Sequence, residues 1–449
     1  MNTEVRVRFP PSPTGYCHVG TARMAILNYL FAKKHGGKII FRSEDTDKER
    51  SKKEFEDDIV EQLHWIGLEW DEFYRTTELV ERHKTALSKL IAEDKAYVSE
   101  EESKKNPGTM TQVVRLRNPG RTITFSDEIR GDITFDTTEL KDFVIARSID
   151  DPLYNFAVVV DDSANGITHV IRGEDHISNT PRQILIQESL GYVRPVYAHY
   201  PLFLGADKSK LSKRTGDVAV RDYREAGYLS NGLLNYMAIL GWTPPSEREV
   251  MSLEEMIGEF DLKDLHKSGA VFDIEKLRWY NRQYLQRTSD KQFAAYALPV
   301  LETSLRTRNI PYDASMAQKL MPIIRERIDV SEDIATLTAG GEFDFFFAEP
   351  QLDVNTLPQK GISREETAKH LVAVHGLLTA LSADTYTEDV IKTAVWKYAE
   401  KEGRGAVLWP LRYALSGRQK SPDPFTIAAC IGKEATLRRI TTAQKMLGV

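Results

Sequence analysis

Residues Val5 to Phe9 alternate apolar and charged side chains with the period of a strand, and Pro10, Pro11 and Pro13 end any ladder pairing there. From Thr21 onward Met24, Leu27, Leu30 and Phe31 fall at helical spacing, with Thr21 as the expected cap and Gly20 allowing close backbone approach. Ile39 to Phe41 and then Phe55, Ile59, Leu63 and Ile66 repeat the strand-then-helix step, and a further helix is expected from about Thr77 to Asp94. After the exposed loop "SEEESKKNPGTM", the alternating "VVRLRNPGRTITF" and "DITFDTTELKDFVIARS" predict strands of an inserted subdomain. "YNFAVVVDD" and "THVIRGED" read as short buried strands, and Thr180-Pro181 opens a helix that Gly191 closes. From Tyr228 the pattern is helical, over 230–241, 252–260, 315–330, 364–382 and 386–402. The expected class is α/β, followed by an all-helical carboxyl third.

At 449 residues the chain is long enough for several domains. A 41% hydrophobic and 28% charged composition, with no apolar run near bilayer length and no signal-peptide pattern in "MNTEVRVRFP", predicts a cytoplasmic protein with no membrane partner. Cys17 and Cys430 alone cannot build a disulfide framework or a four-cysteine zinc site. The net charge of −6 is unevenly spread: residues 401–449 carry +6 and the remainder −12. That basic tail is either a solvated helix surface or a polyanion footprint.

The break after Phe9 puts a helix N-terminus at the carboxyl end of a strand, where free amides and the helix dipole attract phosphate. A second phosphate-type element follows about 190 residues later, where "GADKSKLSKRTGDVAV" concentrates Lys208, Lys210, Lys213 and Arg214. Either element alone fits a structural turn or a solvated basic loop. Their pairing resembles the two ATP motifs of class I aminoacyl-tRNA synthetases. "FPPSPTGYCHVGTA", "FRSEDTDKERS", "VIRGEDHISNTPRQ" and "KLSKR", in this order, resemble glutamyl-tRNA synthetases of bacterial type. "FDIEKLRWYNRQYL", "PLRYALSG" and "IGKEATLRRI" extend the resemblance over nearly the whole chain.

The resemblance implies a Rossmann-like nucleotide-binding catalytic region over 1–310, with halves at about 1–96 and 152–205. An acceptor-end insert at about 97–151 and stem-contact helices at about 206–310 complete that region, and an all-helical anticodon-binding domain spans 311–449. It implies ATP-dependent formation of glutamyl-adenylate and transfer of glutamate to the terminal adenosine of tRNA(Glu). His18, Lys210 and Lys213 would be catalytic, and His18, Gly20, Thr21, Lys210 and Lys213 would bind ATP. Arg8, Ser12, Glu44, Tyr154 and Arg172 would bind L-glutamate, with Val158 standing where some members carry a polar amide. Arg325 and Arg327 are candidate anticodon contacts. Mg²⁺ would arrive with ATP. The short insert lacks the family's cysteine-rich knuckle, so no zinc and no protein-held metal is expected. Alternatives are a form that also glutamylates tRNA(Gln) and, behind it, a catalytically inactive tRNA-binding protein. The shorter nucleoside-modifying paralogue lacks a helical carboxyl module, and the expected state is a monomer.

Overall fold

The computed structural model describes residues 4–47, 49–102, 108–205, 207–208, 211 and 219–449. They form two compact units, Met1–Tyr284 and Leu285–Val449.

In the first unit β1 (Arg6–Phe9), α1 (Val19–Lys34), β2 (Lys38–Ser43), α2 (Lys53–Trp65), β3 (Glu72–Arg75) and α3 (Val80–Ala92) follow in sequence. The three strands make a parallel sheet in the order β1-β2-β3. The chain returns at β10 (His169–Gly173), α5 (Thr180–Leu190) and β11 (Val196–Tyr200), where β10 and β11 pair in parallel. The start of β10 is tied to the other face of β1: Thr168 N donates to Arg6 O at 2.9 Å and Arg6 N donates to Thr168 Oγ1 at 2.8 Å. The strand order therefore reverses at β1, and in a doubly wound sheet the cleft opens beyond the carboxyl ends at that reversal. Arg8 and Arg172 are the next-to-last residues of β1 and β10 at this point.

The intervening segment supplies β4 (Ala96–Glu102), β5 (Met110–Leu116), β6 (Thr122–Asp127), β7 (Gly131–Asp136), β8 (Phe143–Ser148) and the short β9 (Asp151–Pro152). Strands β4, β5, β8 and β9 form one antiparallel sheet, whereas the β6–β7 hairpin joins the edge of β11 through Tyr197 and Asp127. Leu116, Ile123, Phe125 and Ile145 of the insert pack in one cluster with Leu87 and Leu90 of α3, Ile184 of α5 and Tyr197.

Two expectations are corrected here. "YNFAVVVDD" is a helix, α4 (Tyr154–Ala164), not a strand. Residues Phe156 to Asp162 are all buried, so enclosure on every side erases the helical period and leaves a valine run. Helix α1 begins at Val19 and its cap is His18, whose Nδ1 accepts from Gly20 N at 3.0 Å; Thr21 lies inside the helix. Beyond β11 the unit continues with α6 (Val220–Glu225), α7 (Ser230–Ile239), α8 (Leu253–Glu259) and most of α9 (Ile274–Arg287), whose last three residues are counted with the second unit.

The second unit is helical. Its elements include α10 (Asp290–Thr307), α11 (Ala314–Lys319), α12 (Met321–Arg327) and α13 (Glu332–Ala339). They are followed by α14 (Asp344–Phe347), α15 (Arg364–Thr379), α16 (Glu388–Glu402), α17 (Arg404–Ser416) and α18 (Pro424–Met446). Gly432, at φ +83°, kinks α18 in the left-handed region. The division after Tyr284 precedes the expected boundary at 310 because α10 packs inside this unit: Arg308 donates to Thr338 O of α13 and pairs with Asp344.

Candidate active site

A pocket of about 560 Å³ opens at the reversal of strand order. Arg8, Ser12, His18, Gly20, Thr21, Glu44, Tyr154 and Arg172 all line it. The proline turn and the acidic loop that carry two of these groups are tied together where Glu44 N donates to Pro11 O at 2.9 Å.

Three side chains at the sheet end form a buried charge cluster. Arg8 Nε lies 3.2 Å from both oxygens of Asp162, and Arg42 Nη1 lies 2.7 Å from Asp162 Oδ1. Burial works to raise the Asp162 carboxyl, but the two guanidinium charges overcome it and hold the group below its ordinary range. Arg8 Nη1 and Nη2 are buried and have no hydrogen-bond partner among the described residues. Leaving charged donors unmet costs several kcal/mol unless a ligand meets them, on the order of 1–3 kcal/mol per group. Glu44 completes the cluster with Oε1 3.4 Å from Arg42 Nη2. Its burial pushes the carboxyl up to about 7, against the pull of Arg42 and Arg8.

Arg172 is buried, and among the described residues it has no acidic hydrogen-bond partner. Nε donates to His199 Nε2 at 3.0 Å, Nη1 to Gln183 Oε1 at 2.8 Å and Nη2 to Thr180 Oγ1 at 2.8 Å. Burial pushes this guanidinium below its ordinary value, because all three partners are neutral. Tyr154 and His176 face each other across the pocket wall, with Oη 3.3 Å from Nδ1. Burial and the Arg172 charge push His176 down to about 4, so it is neutral at physiological pH. A positive floor with one acidic group beside it suits an anionic ligand that also carries an ammonium.

The other end of the pocket is the start of α1. Gly20 N–H donating to His18 Nδ1 leaves the ring proton on Nε2 as a donor. Arg23 braces this end from beneath: its guanidinium sits 4.2 Å over the Phe203 ring and donates to Pro201 O at 2.6 Å and Leu240 O at 2.9 Å. Burial pushes Arg23 down to about 10. An N-terminal helix turn with a donor imidazole is suited to phosphate.

Two family models match the chain. The model for the catalytic domain of class I tRNA synthetases (E and Q) matches residues 4–106 and 98–279, and an anticodon binding domain model matches 292–444. A glutamate–tRNA ligase of Heliobacterium modesticaldum is 36% identical over 491 residues, covering 99% of this chain and 98% of its own. One of Carboxydothermus hydrogenoformans is 38% identical, covering 97% and 99%. The chain belongs to the glutamate–tRNA ligase family. A solved structure of a glutamate tRNA ligase from Elizabethkingia meningosepticum, in complex with its amino acid, superposes with a TM-score of 0.85. It is 33% identical and covers 99% of this chain and 100% of its own.

Lys210 and Lys213 lie outside the described residues. Arg325 and Arg327 lie in the helical unit and are engaged there. Arg325 sits 4.5 Å over Phe293 with Nη1 3.1 Å from Asp290, and Arg327 Nη2 lies 2.9 Å from Glu342. Of the nine basic residues after position 400, seven also have internal partners: Lys401, Arg404, Arg412, Arg418, Lys433, Arg438 and Arg439. Lys401 and Arg404 meet neighbours on their own stretch of chain, whereas Arg412, Arg418, Lys433, Arg438 and Arg439 tie separate segments of the unit together.

Sequence reasoning missed Asp162, His176, Asn179 and Tyr200. His176 and Asn179 stand in "EDHISNTPRQ", and their polarity beside Arg172 was an available signal. Asp162 carried none, because its segment reads as a strand that would not deliver it to the arginine pair.

Proposed function

We propose that the chain activates L-glutamate with ATP and transfers it to tRNA(Glu), acting as a cytoplasmic monomer. The observation that carries this reading is the pair of buried arginines at the strand reversal, Arg8 with two unmet Nη groups and Arg172 with only neutral partners.

In this reading the side-chain carboxylate of glutamate meets Arg8 and Arg172, and Glu44, once ionised, holds the ammonium. Tyr154 and Ser12 bound the ligand, Ser12 from the exposed rim. ATP lies toward α1, with His18, Gly20 and Thr21 against its phosphates and Lys210 and Lys213 meeting the charge that develops on the departing pyrophosphate. The α-carboxylate oxygen of glutamate forms a bond to the α-phosphorus as the bond to pyrophosphate breaks. The 2′-hydroxyl of the terminal adenosine then attacks the glutamyl carbonyl and AMP leaves. The protein supplies orientation and charge rather than covalent participation. Mg²⁺ enters with ATP, where it neutralises phosphate charge. The internal pairing of Arg325 and Arg327 supports a packing role over base contact for those two.

The test is ATP-dependent attachment of labelled glutamate, and separately glutamine, to purified tRNA(Glu) and tRNA(Gln) at matched salt. Glutamate on tRNA(Glu) alone is the expected result. Glutamate on both tRNAs makes the enzyme non-discriminating, and charging of neither overturns the catalytic reading.

A further inference from the structure

We propose that Asp127 and His199 are positioning residues that hold Arg172 as an uncompensated cation and so set the preference for a carboxylate over an amide side chain. The proposal rests on the glutamate reading above. Arg172 Nε is only a donor, so His199 Nε2, 3.0 Å away, must accept and the ring proton must sit on Nδ1. That proton points at Asp127 Oδ2, 2.6 Å from Nδ1, and both side chains are fully buried. An ionised carboxylate only accepts, so it enforces this tautomer. Asp127 cannot turn away, because its Oδ1 accepts from the backbone amides of Ile129 at 3.1 Å, Arg130 at 3.0 Å and His199 at 3.2 Å.

The arrangement resolves a conflict. A carboxylate placed directly on Arg172 would orient it but neutralise the charge that a ligand must meet. Asp127 instead acts through one imidazole, so the guanidinium is oriented by a neutral acceptor and its charge is left for the pocket. Arg8 shows the alternative, with Nε spent on Asp162. The placement also gives the insert a part in the amino-acid site, since Asp127 ends β6 and pairs in register with Tyr197 of β11, two residues from His199.

Asp127→Asn tests the proton placement with little change of shape. The Asn oxygen can still accept the three backbone amides, while its NH₂ donates to His199 Nδ1, moves the ring proton to Nε2 and sets it against the Arg172 Nε–H. The expected result is a fall of about tenfold or more in the ratio of kcat/KM for glutamate over glutamine in tRNA charging, since this site rejects the amide by hydrogen-bond polarity. KM for glutamate should rise while kcat changes little, and the ¹⁵N shifts of the His199 ring should report the exchanged tautomer. His199→Gln offers an oxygen acceptor that has no tautomer, so it should keep the ratio near that of the parent, and adding Asp127→Asn to it should change nothing further. A folded Asp127→Asn protein with unchanged ratio and tautomer overturns the proposal, as does equal damage in the His199→Gln background. Should Asp127→Asn fail to fold, His199→Phe against His199→Gln carries the test, and equal ratios in those two overturn it. A parent enzyme that charges no tRNA removes the glutamate reading and this proposal together, whereas an active parent with an insensitive Asp127→Asn removes this proposal alone.

Discussion

Glu44 gives the most direct handle on the amino-acid end of the site, because burial pushes its carboxyl up to about 7 when no ligand is present. Binding an ammonium requires the carboxylate. With that value only about one molecule in eleven is ready at pH 6 and about ten in eleven at pH 8, so the Kd for glutamate should fall about tenfold across this interval, or about 1.4 kcal/mol. Binding at pH 6 should release close to one proton. Isothermal titration calorimetry from pH 6 to 8 in buffers of different ionisation enthalpy measures both quantities, and Glu44→Gln should bind weakly with no slope. His176, pushed down to about 4, stays neutral throughout and adds nothing to the window. The same shift has a consequence for stability. A carboxyl raised in the folded state is costless while protonated, below its ordinary range, and its burial penalty grows as pH rises through about 7. Glu44→Gln should therefore raise the apparent Tm of the ligand-free protein at pH 8 and leave it little changed at pH 5. A parent protein with flat glutamate affinity between pH 6 and 8, or a Glu44→Gln variant that keeps the slope, would refute the reasoning.

Lys213→Ala should slow adenylate formation at least about a hundredfold while leaving the Kd for glutamate within about twofold; equal losses in single-turnover rate and in binding would count against a transition-state role. Arg439, 5% exposed, spans Leu415 O, Ala348 O and Glu349, so Arg439→Ala should destabilise the helical unit by about 3 kcal/mol in denaturant titration, and a change below about 0.5 kcal/mol would contradict the assignment. Arg8→Gln should lower the kcat/KM ratio for glutamate over glutamine by at least about tenfold, and an unchanged ratio would detach Arg8 from side-chain recognition.

The parts legible in the sequence were those where one local rule decides. Pro10 to Pro13 had to end a strand, Pro181 and Gly191 had to bracket a helix, and Gly191 does close α5 at φ +73°. The contacts that build the site were less legible because they cross long sequence gaps. Arg8 meets Asp162 across 154 residues and His199 meets Asp127 across 72. Nothing in "YNFAVVVDD" distinguishes a helix enclosed on all sides from a buried strand, and only the helix puts Asp161 and Asp162 where they are needed. Asp161 pairs with His83 of α3 at 2.7 Å, while Asp162 turns to the arginines. The alternating strands of the insert were readable, but not that one hairpin would extend the edge of the catalytic sheet, since alternation sets which face is buried and leaves the partner strand open.

The charges around the amino-acid end connect these observations to specificity. Arg8, Arg42 and Arg172 stand against Asp162 and Glu44 among groups that are almost fully out of water, and the buried Asp161 beside His83 also acts on Arg42 and Glu44. In the proposed reading, free glutamate brings its side-chain carboxylate to the unmet Nη groups of Arg8 and to Arg172. Glutamine would instead set its own NH₂ against those donors and bring no counter-charge to the guanidinium groups, two costs that act in the same direction. Glu44 belongs to the same set: ionised, it meets the pull of Arg42 and Arg8, but burial together with the neighbouring Asp162 and Asp161 outweighs that pull and leaves the carboxyl near 7. On this account discrimination is a property of the whole set, and removing any one of the three arginines shifts the balance toward the neutral amino acid, most of all Arg8, whose Nη groups have no other partner among the described residues.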